Sequence, residues 1–446
     1  MSGSRQSAAA NPWRAPALLA VLVVLFVLEG SLSNALFSGS WNSALGILNM
    51  GLLSAIMALG VNITWGYGGL FNAGVVGFLA LGGLAPVLIS TAPVPGAWDA
   101  GGVRVVLALV VGLLTLVLAT IVARRVPRAW KFWAAFAVVG VGFVIYRFLF
   151  DPAVIAIEAN NPAKAGNIGG LGWPVLLSWP VGGLLAAAAA WGVGKVALGL
   201  RSDYLAIATL GIGEIIVAVM RNEGWLARGV LNMSGIPRPV PYELELQADP
   251  AFQARVAGWG MDLATASGIW VKLSYAALFI VIVLALIALS ELAQRSPWGR
   301  MMRAIRDNEV AAEAMGKNVT RRHLQVFVIG AAVIGLAGAM MVTLDGLLNP
   351  AGYNPLRYTF LVWVMVIVGG SGNNWGAVLG AVLIWYLWIK AEIWGPAMMA
   401  VITAPMEAGA LKSHLMGSAP HMRFIAMGLV LLLVLRFAPR GLVPEK

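Results

Sequence analysis

The chain has 446 residues, of which 60% are hydrophobic and only 11% charged, with a mean hydropathy of +0.85. Soluble domains carry about a quarter charged residues, so a water-soluble protein is excluded and a polytopic membrane protein is indicated. The absence of cysteine removes disulfide scaffolds, cysteine nucleophiles, thiolate metal sites and iron–sulfur centres together, and the net charge of +11 reads as Lys and Arg held on cytoplasmic loops rather than as a nucleic-acid surface.

Apolar runs bounded by Pro, Gly and charge fall near 17–36, 44–64, 70–91, 104–122, 132–150, 174–199, 203–221, 268–290, 323–344, 357–370, 375–394 and 423–437, each a candidate membrane helix. The first follows Arg5 and Arg14 as a signal peptide would, but Asn34-Ala-Leu-Phe is a poor cleavage site, so it is read as retained. Runs 357–370 and 423–437 are short for a bilayer, and 203–221 contains Asp203 and Glu214. Any of these could be re-entrant or broken, which sets the expectation at ten to twelve spans.

With the N-terminus inside, every strongly basic loop falls on one side. These loops hold Arg124, Arg125, Arg128 and Lys131; Lys195 and Arg201; seven Lys or Arg between Arg295 and Arg322; and Arg436, Arg440 and Lys446. The loop 222–267 falls outside and is acidic, with Glu223, Glu243, Glu245, Asp249 and Asp262 against Arg228, Arg238 and Arg255. Both termini are therefore expected in the cytoplasm. The fold class is an all-α transmembrane helix bundle, expected as one membrane domain over 1–446, with an additional helical hairpin and loop near 124–172.

No Gly-x-x-x-x-Gly-Lys-Ser/Thr loop is present, so the chain has no ATP site of this type. It also lacks a His-Glu-x-x-His, a Gly-x-Ser-x-Gly elbow and a carboxylate–histidine constellation, and neither a catalytic nor a metal site is expected. His414 and His421 read as loop histidines. The segment 296–322, SPWGRMMRAIRDNEVAAEAMGKNVTRR, instead predicts a pair of short amphipathic cytoplasmic helices. Pro297 can open the first, Asp307 or Asn308 can cap the second, Glu309 suits its first turn, and Gly316 with Lys317 can end it. Ala311, Ala312 and Met315 would form a small apolar face suited to a protein groove or to the inner leaflet.

Ala311-Ala312-x-x-x-Gly316 resembles the core of the cytoplasmic EAA loop of ABC-importer permeases, departing from it with Val310 at the Glu position and Glu309 one residue earlier. The surrounding GRMMRAIRDNEVAAEAMGKNVTRRHLQVFVIGAAVIGLAGAM (299–340) is similar to LivM-like permeases of branched-chain amino-acid importers. So are ALGVNITWGYGGLFNAGVVGFLALGG (58–83), RSDYLAIATLGIGEII (201–216), SGIPRP (234–239), VGGSGNNWGAVLGA (368–381) and LRFAPRGLVPE (435–445), all in family order. The stretch 124–172 is not covered.

The resemblance implies a permease subunit in the bacterial inner membrane that pairs with a second homologous permease and receives substrate from a periplasmic binding protein. It also implies two ATPase subunits that carry ATP and Mg, leaving this chain without a cofactor. ATPase coupling would fall to Glu309, Ala311, Ala312, Glu313, Met315 and Gly316. Branched-chain amino acids are the implied cargo, with urea or short amides as the family's alternative. A stand-alone channel or secondary transporter is the rival from another class; it predicts paired intramembrane charges and an inverted repeat. The residues add pathway or structural candidates: Gly66 and Gly69, Gly370 and Gly372, where glycines interrupt helices, and Glu214 within Ile207–Val219. The charge topology favours plain cytoplasmic turns at helix ends for these glycines. For Glu214 a basic partner or a helix break at Gly211 or Gly213 is expected, and Asp345 and Asn349 are expected at the periplasmic rim.

Overall fold

The computed structural model describes residues 13–34, 36–161, 166–407 and 409–445; Lys446, one of the charges that orient the chain above, and Arg5, which precedes the first apolar run, lie outside them. α1 (Arg14–Ser31) leads to α2 (Trp41–Val61), which continues as a wider π turn over Asn62–Tyr67. An extended passage precedes α3 (Val75–Ser90). Then come α4 (Val103–Arg125), α5 (Lys131–Ala159), α6 (Val175–Ala197), α7 (Ser202–Asn222) and α8 (Leu263–Arg295). The short α9 (Pro297–Asp307) and α10 (Glu309–Ala314) follow. The chain closes with α11 (Val319–Asp345), α12 (Leu361–Gly369), α13 (Asn374–Thr403) and α14 (Met422–Phe437).

Among the described residues ten helices are long and apolar enough to cross a membrane, and Val75–Ser90 and Leu356–Gly369 are shorter apolar helices. The all-α bundle is as expected. Of the three doubtful spans, α7 is continuous and α14 is lengthened by a 3-10 turn over Ala419–His421, while 357–370 is indeed short. The other short helix, α3, was expected at full length. The expected hairpin within 124–172 is corrected: α5 runs unbroken through Pro152 to Ala159, and its antiparallel partner is α4, which begins before that stretch. This pair carries its own small core of Val105, Ala108, Phe150, Ala153, Ile157 and Trp225.

The core is formed by α2, α11 and α13, whose spans are 78%, 78% and 72% buried, against 6% for α5 and for the last span. Lipid tails give helices no hydrophobic reason to associate, so close approach of small residues has to hold such a core. α11 supplies it. A Cβ on Gly60 would stand 2.8 Å from the Gly330 carbonyl oxygen, one on Gly338 2.0 Å from that of Leu79, and one on Gly182 3.1 Å from that of Gly335. Gly376 and Gly380 similarly bring α13 onto Gly369, as their four-residue spacing suggests. Gly82→Val illustrates the tolerance: its Cβ would fall 2.0 Å from the Gly335 carbonyl oxygen. Overpacking of this kind is expected to cost about 1–3 kcal/mol or more. Thermal unfolding in detergent should fall clearly for Gly82→Val and stay put for Gly192→Ala, which has open space.

The start of α1, the end of α8, α9 and the C-terminal tail share one pole: Arg14, Glu291, Arg303, Gly372 and Glu445 line a single cavity there. This basic pole therefore carries both ends of the described chain. The opposite pole carries the acidic segment 223–262, folded into short helices at Gly224–Ala227, Glu243–Ala248 and Pro250–Ala257. Met233–Ser234 pairs antiparallel with Leu347–Leu348 and ties this cap to the end of α11.

Candidate functional site at the basic pole

α9 and α10 form as their residue types require. Ser296 Oγ accepts the Gly299 N–H at 3.3 Å with Pro297 at the first helical position, and Asn308 Oδ1 accepts the Ala311 N–H at 3.0 Å, so Asn308 rather than Asp307 is the cap. Gly316 stops α10 at φ +74°, a left-handed value that glycine adopts without Cβ strain. The Lys317 N–H then reaches back to the Ala312 carbonyl at 3.1 Å. Met302 and Ile305 anchor α9 to the bundle core.

The expected apolar face is partly corrected. Ala312 turns into this chain's own core at 8% exposure, whereas Val310 and Met315 stand out at 76% and 80%. Ala311, Glu309, Glu313 and Gly316 are exposed beside them. Helical geometry places Ala312 and Met315 on overlapping faces only within a continuing helix, and α10 ends between them.

The glycine interruptions meet one another. Asn62, in the π turn that ends α2, accepts the Gly372 N–H at 2.8 Å and donates to Asn374 Oδ1 at 3.4 Å. Tyr67 donates to the same Asn374 oxygen. Asn62, Tyr67 and Asn374 are all buried, so their polar groups depend on each other for satisfaction. Gly66 has no room for a side chain, since its Cβ would lie 2.6 Å from the Gly372 nitrogen. At the second interruption the tail docks along the backbone: the Leu442 N–H bonds the Val368 carbonyl at 2.8 Å and that of Val443 bonds Gly369 at 2.9 Å. Gly370, at φ +118°, would drive a Cβ to 2.3 Å from the Val443 oxygen.

Arg306 joins this hub to α9. Its guanidinium donates to the Gly66 carbonyl at 2.5 Å and pairs with Glu445 of the tail at 3.0 Å, while Gly69 lies against its stem. The residue that leaves the amphipathic helix pair for the membrane therefore touches both interruptions and the tail. The glycines are turns at a helix end and also the place where the end of α2 meets the turn between α12 and α13.

Glu214 is corrected on both expected grounds. α7 is unbroken at Gly211 and Gly213, no basic residue among the described residues pairs with Glu214, and its Oε1 is buried without a hydrogen bond there. Gly213 instead packs α7 on Gly74 and Gly77. The hub brings Gly66, Gly69, Gly370 and Gly372 together and excludes Glu214, which stands farther along α7. No three His, Asp or Glu side chains among the described residues form a metal cluster.

Sequence reasoning passed over Arg306, Asn62, Tyr67 and Asn374. It also passed over a buried ion pair, Lys390 Nζ to Glu29 Oε2 at 2.5 Å, with exposures of 1% and 0%. Lys390 further donates to the Leu36 carbonyl at 3.0 Å and Glu29 accepts the Ser38 N–H at 3.2 Å, so the pair pins the turn after α1 to α13. A lysine inside a predicted span was the available signal.

The family described as "Branched-chain amino acid transport system / permease component" matches residues 134–435, more than half of the chain. The high-affinity branched-chain amino acid transport system permease protein LivM of Escherichia coli K12 is 33% identical over 234 residues, 51% of this chain and 53% of that protein. A probable branched-chain amino acid transport permease protein LivM of Methanocaldococcus jannaschii is 26% identical over 249 residues, 55% of this chain and 61% of that protein. The E. coli K12 permease LivH is 31% identical over 109 residues, 24% of this chain and 35% of that protein. The chain spans about half the length of the first two curated relatives. No solved structure matches it. An all-helical membrane bundle with this match over most of its length belongs to the branched-chain amino acid transport system permease family.

Proposed function

We propose that the chain is the LivM-type permease subunit of an ATP-driven, binding-protein-dependent importer of branched-chain amino acids in the bacterial inner membrane. It works beside a second, LivH-like permease, above two ATPase subunits that hold ATP and Mg, and below a periplasmic binding protein. The basic pole is then cytoplasmic. The observation that carries this reading is the attachment of α9–α10: an exposed tip of Val310, Ala311 and Met315 outside the membrane and, at the inner end, Arg306 bonded to Gly66 and Glu445. An apolar helix tip at a water-facing pole is a docking element. A force applied to it passes through Arg306 to the junction of α2, α12 and α13.

The membrane charge pair does not support a stand-alone ion-driven carrier. Glu29 lies near the end of α1 and Lys390 about midway along α13, away from the hub, and the pair is fully buried and bonded to the turn after α1. Purification of the tagged chain from native membranes in mild detergent tests the assembly. Mass spectrometry should find an ATPase subunit and a second permease; the chain recovered alone, reproducibly and at full yield, would contradict the proposal.

Arg306→Gln should lower the amount of leucine moved per ATP consumed. The hydrogen bonds of a charged group are worth about 1.5–3 kcal/mol, and their loss at this joint should leave ATP hydrolysis running while uptake falls roughly tenfold. Uptake and hydrolysis measured side by side in proteoliposomes check this, and an unchanged ratio would remove Arg306 from the transmission path.

A further inference from the structure

At the opposite pole a cavity of about 400 Å³ opens between the first turns of α2, the end of α11, the start of the 356–369 helix and the outer half of α13. Its wall is largely apolar, with Ile47, Met50, Met341, Val342 and Ile389 among the lining residues. Two charges of opposite sign face it, Asp345 and Arg357. The Arg357 guanidinium lies over the rings of Tyr358 and Trp385, 5.1 Å from each centroid. Its Nε is buried without a hydrogen bond.

Among the described residues Asp345 and Arg357 make no ion pair, although they share the cavity. Arg238, the other cation whose field reaches Asp345, is already paired with Glu243 at 3.2 Å. The contrast with Glu29 and Lys390, closed to 2.5 Å, is informative. A structural pair in a low-dielectric setting closes to contact, because each charge left open there is costly. Two opposite charges held apart by aromatic packing across an apolar pocket leave a gap that fits a ligand carrying both complementary charges. Small-solute sites have this character: apolar walls with a few placed polar groups that fix orientation.

Building on the function proposed above, we infer that this cavity is a low-affinity entry site for a zwitterionic α-amino acid with an apolar side chain. Arg357 takes the carboxylate, Asp345 takes the ammonium, and the side chain lies against Ile47, Met50 and Met341. The aromatic faces under the guanidinium leave its N–H edge available for a planar carboxylate. Urea and short amides lack both charges and have nothing to offer these two groups. The site thus selects cargo at the mouth of the pathway, where a binding protein would deliver it.

The cysteine-free sequence permits a direct test. Met50→Cys places a single thiol in the cavity wall, and Ser413→Cys places one on the exposed helix Ala410–Gly417 as a control. The full chain, purified with its partners into nanodiscs, is labelled with a small maleimide and read by the mass of this chain alone. L-leucine should slow labelling at position 50 by about tenfold once it reaches ten times its Kd and leave position 413 unchanged. Isobutylamine and isovalerate, each lacking one charge, and acetamide should not protect. Asp345→Asn and Arg357→Gln in the Met50→Cys background should each abolish protection. The same purified complexes are also reconstituted into proteoliposomes and assayed there for leucine uptake.

Leucine uptake with no protection up to about 50 mM, far above a millimolar Kd, would overturn the site and leave the transport reading standing. Equal protection by leucine, isobutylamine and isovalerate would overturn the two-charge recognition. Uptake of acetamide or urea without leucine would overturn the transport reading and the site with it.

Discussion

Lys390→Met is expected to be among the most destabilising single substitutions in this chain. It leaves Glu29 at 0% exposure with its main partner gone, and breaking a buried pair from one side costs about 3–5 kcal/mol. The loss is local in origin but not in effect: Lys390 also holds the Leu36 carbonyl, and Glu29 holds the Ser38 backbone and accepts from the Tyr386 hydroxyl at 3.3 Å. α1, which buries little else against the bundle, should loosen from α13. The double variant Glu29→Gln with Lys390→Met removes both charges and should recover most of the stability, because two neutral groups no longer carry the desolvation cost of an unpaired ion. Thermal unfolding in detergent of the single and double variants decides it, and equal destabilisation by both would show that the charges themselves are not the issue.

The largest effect on transport is expected at the tip of α10. Met315 is 80% exposed, so Met315→Asp should leave this chain's own stability unchanged. If the tip docks into an ATPase cleft, the change forfeits about 1.5–3 kcal/mol of apolar burial and places a charge in the interface. Affinity for the ATPase subunit should fall roughly ten- to a hundred-fold, and uptake with it. Ala312→Leu is the informative contrast. That side chain faces inward, and its effect should appear first in the seating of α10 on the bundle. Binding of the ATPase to nanodisc-held variants, compared with their melting, separates the two.

The number of spans, the basic pole, the helix pair at 296–316 and its caps were legible in the sequence because each is written in local periodicity, charge or a capping residue. The short helices were harder. The run 70–91 reads as a full span because Leu70, Phe71 and Ala73 are as apolar as the helix they precede, yet Asn72 accepts the Gly74 N–H and Ala73 bonds Thr209, which holds this passage extended. Glu214 misled because an apolar stretch predicts that a carboxylate must find a cation, and here it stands half-buried with none among the described residues. The hub was illegible for a different reason. Asn62 and Asn374 are about three hundred residues apart, and nothing in either neighbourhood names the other. Arg306 sat in a loop counted for its charge, with no local sign that one of its seven basic residues turns back to the membrane. The charges of the outer cavity are separated in the same way: Asp345 was visible at the end of its span, and Arg357, hidden in an apolar run, was not.

The most direct test of the account is leucine uptake into proteoliposomes that hold this chain with its second permease, ATPases and binding protein, with and without ATP. The account predicts uptake that requires ATP, ceases when this chain is omitted and falls roughly tenfold or more when Met315→Asp replaces it. Leucine entering at the same rate without ATP, or through this chain reconstituted alone, would contradict it.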